Sequence, residues 1–277
     1  MTLREIQLYK LGMMEDIADI CDKHGLQYIL HYGTLLGAIR HEGFIPWDDD
    51  VDIAMPWNDY RKLIDILGRE YPEKYFAQNI WTERKFPLLW TQIRANGTTS
   101  MPVEYCAYDI HWGMCIDVFV LISAEGDEKK KAKRIKTIAL AKSLLAKEYM
   151  DMVHVKTGDR RQLLINRIPR CVRHRIVHYI LNRVAREPEE NGLVSPLQNP
   201  KKIYAYADIL RTEQHVFEGK LFRIPKGYDN VLKVEYRDYM KLPPEEKRGG
   251  HEQALGRIIN DVHKDYKEYK AELLNRP

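Results

Sequence analysis

From Asp50 onward, the stretch Asp48-Asp49-Asp50-Val51-Asp52-Ile53-Ala54 alternates charged with apolar residues. That period of two belongs to a β-strand with one acidic face and one buried face. Such a strand needs neighbours to pair with and a core to receive Val51 and Ile53, so the chain has to build a packed sheet around it. Side chains two residues apart leave a strand on the same side, which aims Asp50 and Asp52 at one point above the sheet. Two carboxylates so placed repel each other unless a cation lies between them. A hard divalent ion, Mg2+ or Mn2+, takes carboxylate oxygens and keeps positions for water and substrate phosphates. An acidic turn that caps a helix or solvates a loop would use the same residues, and this alternative stands at the level of the motif.

The surrounding pattern is mixed. Leu3, Ile6, Tyr9, Met13, Ile17 and Ile20 recur at helical spacing until His24-Gly25, which predicts a long first helix. Residues 27–32 read as a short strand, Gly33-Thr34 as a turn and residues 35–40 as a short helix. Pro56 ends the acidic strand, and Asn58 is placed to cap a helix carrying Tyr60, Leu63, Ile64 and Leu67. A second strand pair is expected at residues 88–94 and 113–120. Beyond these lie a charged helix over 129–152, an Arg-rich helix over 160–186 interrupted at Pro169, a hairpin over 215–224 around Glu218-Gly219, and a helix over 228–239. The expected fold class is α/β (α+β), a mixed-sheet core with a largely helical insertion and C-terminal part. The expected division is a catalytic core at 1–124, a helical, Arg-rich insertion at 125–210, and a hairpin with helices packing on the core at 211–277.

Composition excludes several classes. Forty-four Lys and Arg against 40 Asp and Glu leave a net charge of only +4 over 277 residues, far from a nucleic-acid-coating polycation. With 44% hydrophobic residues the chain can bury a core, yet its mean hydropathy of −0.49 fits the lack of an apolar run near the roughly 18 residues of a membrane span. The first residues mix charge with apolar side chains, and no export signal is read there. Cys21, Cys106, Cys115 and Cys171 are scattered and form no CxxC pair, so neither a disulfide framework nor a zinc site is indicated. A reducing cytoplasm, with peripheral placement at the inner face of the membrane as an option, is the expected compartment.

Two features favour chemistry over a solvated turn. Gly33-Thr34 falls at a predicted strand end, where a backbone lacking a Cβ can approach a phosphate. Asp117 lies in Cys115-Ile116-Asp117-Val118-Phe119, flanked by residues that bury their surroundings, and is hard to explain as a solvated charge. A Gly-Thr turn, a strand-borne DxD and a lone Asp on a later strand together resemble the nucleotidyltransferase, polymerase-β-like fold. At a finer level, YGTLLGAIRHEGFIPWDDDVDIAMPWNDY resembles the signature of the LicD family of phosphocholine transferases, whose core is shared with fukutin-related proteins. The resemblance continues in residues 112–119 and in IPKGYDNVLKVEYRDYMKLPPEEK, and is weakest over 125–210.

The resemblance implies a Mg2+-dependent transfer of phosphocholine, or a related phospho-alcohol, from CDP-choline or a similar CDP-alcohol to a sugar hydroxyl, with release of CMP. The implied acceptor is a cell-surface glycan such as lipopolysaccharide or a teichoic acid precursor, often lipid-linked. Asp50, Asp52 and Asp117 are the implied catalytic and metal-binding residues, with Asp117 either a ligand or the acceptor of the hydroxyl proton. Asp48 is a reserve ligand, and Asp49 is expected to point elsewhere. Gly33, Thr34, Arg40, Trp47, Asp48 and Arg94 are the candidate substrate contacts; the two arginines offer forks that match phosphate oxygens. Trp47, Trp90, Tyr105, Tyr108 and Trp112 are candidate walls for a choline head, held by cation–π attraction, and each could equally be plain core. His31 and His41 flank the Gly-Thr turn and are read as structural. Nucleotidyl transfer from an NTP and a catalytically silent glycan- or membrane-binding scaffold are the competing readings.

Residues 160–186 contain eight arginines, two histidines and no acid, so the rest of the chain is net acidic. Leu164, Ile168, Val172, Ile176, Ile180 and Val184 step by four through this segment. Such a helix can lie on an anionic bilayer or pack on its own core with a solvated basic face. No groove-reading or RNA-binding motif accompanies it, and no nucleic-acid partner is expected.

Overall fold

Helix α1, Leu3–Lys23, starts from a capping box in which the Thr2 hydroxyl accepts the Glu5 N–H and the Glu5 carboxylate accepts the Thr2 N–H. The computed structural model describes residues 1–249 and 257–275. After α1 come β1 (Ile29–Leu30), α2 (Tyr32–His41), β2 (Asp52–Pro56) and α3 (Trp57–Glu70). Strands β3 (Tyr75–Gln78), β4 (Thr91–Ala95), β5 (Thr99–Pro102) and β6 (Cys115–Ser123) follow. Helices α4 (Glu128–Met152), α5 (Arg160–Asn166) and α6 (Arg170–Val184) form the middle of the chain. Its last part holds β7 (Leu193–Pro196), β8 (Tyr204–Ala205), α7 (Tyr206–Ile209), β9 (Thr212–Phe217), β10 (Lys220–Pro225), α8 (Tyr228–Tyr236), β11 (Ile258–Asp261) and α9 (Tyr266–Leu274).

The main sheet is mixed, in the order β1-β2-β6-β4-β3, with β7 joined to the far end of β6 and β8 to β7. Within it β2 and β6 run parallel, and their register sets Asp52 directly opposite Asp117. A parallel pair needs a long crossover, supplied here by residues 57–114, which contain α3 and three strands. The two pairs β9·β10 and β5·β11 are separate antiparallel ribbons. One continuous core runs from Ile6 of α1 to Leu232 of α8, and a smaller cluster of Met101, Ile110, Trp112 and Tyr266 lies under α9.

Several expectations are corrected. The acidic strand begins at Asp52, and Asp50 lies in the loop before it, so the two carboxylates do not share a strand face. Gly33-Thr34 is the first turn of α2 rather than a turn ahead of it, because His31 already stands at the N-cap position. Pro56, not Asn58, precedes α3; a proline at that point fixes φ and has no N–H to lose. Strands β3, β5, β7, β8 and β11 were not expected, and β7 and β8 place part of the segment read as helical in the main sheet. The helix after the hairpin ends at Tyr236. The long first helix, the break at Pro169 and the hairpin around Glu218-Gly219 agree with the expectations. Among the described residues no helix is long and apolar enough to cross a membrane.

Candidate active site

The acidic loop is held from below by α1. Gln7 and Lys10 are one turn apart on the buried side of that helix: Gln7 Nε2 donates to the Asp48 carbonyl at 2.8 Å, and Lys10 Nζ donates to the Asp49 carbonyl at 2.5 Å. The same ammonium stands 3.6 Å from Asp50 Oδ1, with only 4% of its side chain exposed. The surrounding carboxylates raise the Lys10 pKa despite its burial, so it stays charged.

Helix α2 closes the other side. The Asp52 N–H donates to Thr34 Oγ1 at 2.7 Å, which ties the start of β2 to the first turn of α2. A Cβ on Gly33 would come within 2.8 Å of Asp48 Oδ2 and 3.7 Å of Asp52 Oδ2, so the glycine is what lets these carboxylates approach the helix N-terminus. The Gly33 N–H stabilises the ionised form of Asp52. Burial, followed by the charges of Asp50, Asp117 and Asp48, outweighs that stabilisation and raises the Asp52 pKa well above the usual carboxylate range.

Asp117 is fixed from β4 and the loop before it. Trp90 Nε1 donates to Oδ2 at 3.0 Å and Gln92 Nε2 to Oδ1 at 2.9 Å; Gln92 is the direct cross-strand partner of Asp117. Burial and the Asp50 charge lift the Asp117 pKa to about 6, with the Gln92 hydrogen bond opposing them. Arg94 is buried and its fork is already engaged. Nε donates to Gln78 Oε1 at 2.7 Å, Nη1 to the Gly113 carbonyl at 2.7 Å, and Nη2 to Gln92 Oε1. Arg94, a candidate phosphate contact, lines the cavity with its fork turned to these partners, where it orients Gln92, which in turn orients Asp117.

Asp50 and Asp117 open into a cavity of about 400 Å³. Trp90, Tyr105 and Trp112 line it, together with Phe86 and, from α4, Tyr149 and Met152. Of the other candidate aromatics, Tyr108 donates to the Lys85 carbonyl at 2.8 Å, and Trp47 sits beneath the Arg248 guanidinium, 5.4 Å from its centroid. Arg40 donates to the Tyr239 carbonyl at 2.9 Å and lies beside the C-terminal segment. His31 is fully buried against Tyr32, Phe119 and Tyr204, and burial drives its pKa to about 3, which keeps it neutral.

Lys10, Gln92 and Tyr236 escaped the sequence reading. Lys10 had a visible signal, since it stands four residues after Ile6 and three before Met13, inside the apolar stripe of α1. Tyr236, brought by α8, is pushed up by burial and by the nearby charges of Asp52, Glu235 and Asp48. Only the folded chain brings it to the acidic cluster.

The donor set is oxygen-only and anionic, which suits a hard cation chemically. Among the described residues, no group of three or more His, Cys, Asp or Glu side chains is arranged to hold a metal ion. Asp50, Asp52 and Asp117 sense one another electrostatically.

A pair of facing strand carboxylates, an acidic loop buttressed by a buried lysine and a helix N-terminus at Gly33 make up the candidate site. Residues 25–145 match the LicD/FKTN/FKRP nucleotidyltransferase domain. Over 278 aligned residues it is 28% identical to the lipopolysaccharide cholinephosphotransferase LicD of Haemophilus influenzae, covering 91% of this chain and 96% of that protein. A shorter likeness, 38% identity over 68 residues, links it to the human ribitol 5-phosphate transferase FKRP, of which it covers 12%. An uncharacterized Rickettsia prowazekii protein, RP689, is 42% identical over 64 residues.

Proposed function

We propose that this chain is a phosphotransferase on a nucleotidyltransferase-like core. In this reading it moves a phospho-alcohol from a CDP-activated donor to a sugar hydroxyl of a surface glycan and releases CMP. The observation that carries the proposal is the register pairing of Asp52 with Asp117 beside an aromatic cavity, in a chain similar over nearly its whole length to a cholinephosphotransferase. The acceptor oxygen attacks the phosphorus bearing the alcohol, a new P–O bond forms, and the bond to the CMP oxygen breaks. Asp50, Asp52 and Asp117 would hold Mg2+, which supplies charge neutralisation on the diphosphate. Asp117, fixed by Trp90 and Gln92 at the cavity wall, is also the group placed to take the hydroxyl proton. Lys10 keeps the acidic loop in place and offsets part of its charge.

The two named relatives handle different units, choline phosphate and ribitol 5-phosphate. The wall formed by Phe86, Trp90, Tyr105, Trp112, Tyr149 and Met152 favours a methylated cation, which binds aromatic faces, over a polyol, which needs many hydrogen-bonding partners. The deciding experiment incubates purified protein and a glycan acceptor with CDP-choline, CDP-ethanolamine, CDP-glycerol, CDP-ribitol or an NTP, with and without Mg2+, and follows CMP or pyrophosphate. CMP from CDP-choline only when Mg2+ is present is the expected result. Pyrophosphate from an NTP would move the assignment to nucleotidyl transfer, and no product from any donor would leave a binding scaffold.

A further inference from the structure

Helices α5 and α6 carry a surface that the proposed transfer reaction does not use. Both lie against α4: Gln162 Nε2 donates to the Ser143 carbonyl at 2.9 Å, and Arg173 makes two bonds to the buried Glu148, at 2.7 and 3.1 Å. Arg170 Nε reaches the same carboxylate at 3.1 Å. These contacts divide the arginines of residues 160–186 into two sets. Arg173 is buried and Arg170, though partly exposed, is paired with Glu148, while Arg160, Arg161, Arg167, Arg175, Arg183 and Arg186 remain exposed. The span contains no acidic residue to neutralise them.

Large apolar side chains stand outward among these cations: Leu163 is 46% exposed, Leu164 62%, Val172 41% and Tyr179 65%. A soluble polyanion would use the arginines and leave the leucines in water. The acidic surface of a bilayer meets both features, because it attracts cations through its headgroups and takes short apolar anchors below them. We propose that the outer face of α5 and α6 docks peripherally on an anionic membrane surface. The last turn of α4, on which these helices pack, supplies Tyr149 and Met152 to the cavity wall. Docking therefore sets the cavity beside the lipid, where a lipid-linked acceptor would be carried; that last link rests on the proposed function, and the docking does not.

The test is co-sedimentation of the full chain with phosphatidylcholine vesicles, with and without phosphatidylglycerol, at low and high salt, next to retention on heparin. Wild type should pellet with the phosphatidylglycerol vesicles at low salt and be released at high salt. Combined Arg161→Glu, Arg167→Glu and Arg175→Glu should weaken that binding on the order of tenfold or more. The pair Leu164→Ser and Val172→Ser should weaken vesicle binding while leaving heparin retention unchanged. Both variants should keep the wild-type melting temperature and wild-type CMP release with a short soluble acceptor. Failure of wild type to bind anionic vesicles, or equal binding by the charge-reversed variant, overturns the proposal. Equal vesicle binding by the serine variant overturns it too, and assigns the face to a soluble polyanion. Absence of CMP release from wild type counts against the reaction alone.

Discussion

At the level of single residues, the candidate site is a charge problem. Four aspartates crowd one point, and Lys10 is a buried cation set against them. Neutralising one strand carboxylate should therefore separate stability from activity. Asp52→Asn or Asp117→Asn should cut turnover by on the order of 100-fold or more, while the melting temperature in metal-free buffer rises as repulsion is relieved. Near-normal CMP release by a well-folded Asp52→Asn protein would remove this residue from the chemistry. Lys10→Met acts in the opposite sense, leaving the Asp49 carbonyl without its donor and the loop without its counter-charge. It should cost about 1–3 kcal/mol in urea unfolding and at least about tenfold in turnover. Unchanged values would show that the loop holds itself. The sequence made the aspartates visible because charge inside an apolar strand is conspicuous. It hid the role of Arg94, whose three engagements exist only once β3, β4 and the Gly113 loop are assembled.

Among the elements, the α4–α6 contact turns on one ion pair. Glu148 and Arg173 are both almost fully buried, and Arg173 also donates to the Leu144 carbonyl at 3.0 Å. Removing one partner of such a pair strands the other in a low-dielectric interior, so Glu148→Gln should destabilise the protein by about 3–5 kcal/mol. Arg175→Glu, on the exposed side of the same helix, should stay within about 0.5 kcal/mol. Equal urea midpoints for the two variants would show that the contact does not depend on charge. The apolar stripe read from the sequence at 164, 168, 172, 176, 180 and 184 is buried only in part: Ile180 is buried, and Ile168, Ile176 and Val184 pack against the core. Arg173, His174, Val177, Ile180 and Leu181 are buried, while Leu164 and Val172 face solvent. The break at Pro169 changes the direction of the chain between α5 and α6, and a single periodic stripe cannot run through it.

For the whole molecule, the parallel pairing of β2 with β6 makes stability respond to pH and to cations. Asp52 and Asp117 have pKa values above their unfolded ones, so the folded protein binds protons more tightly than the unfolded chain. Stability in metal-free buffer should therefore fall as pH rises through about 6, the value for Asp117, and recover as pH is lowered from 8 toward 5. Mg2+ should flatten that slope and stabilise the fold by about 2.7 kcal/mol at a hundred times its dissociation constant, raising the melting temperature, and should do neither in Asp52→Asn. Melts across this pH range that are identical with and without Mg2+ would dissociate the cluster from metal binding.

What the sequence determined by itself is local. Period-two alternation gave β2, helical spacing gave α1, and the sequence of residues 32–60 carried most of the family resemblance. The Asp50–Asp52 pairing expected from that alternation was displaced by one element boundary, because the strand starts only at Asp52. Which carboxylates face each other was decided by tertiary structure. Strand register across a crossover of residues 57–114 cannot be read from periodicity, and it is register that sets Asp52 against Asp117. The same holds for Lys10, whose charge is tolerated in the core only because α1 packs it against the Asp49 carbonyl and Asp50. It holds as well for the Arg-rich segment, where burial against Glu148 separated the structural arginines from those left at the surface.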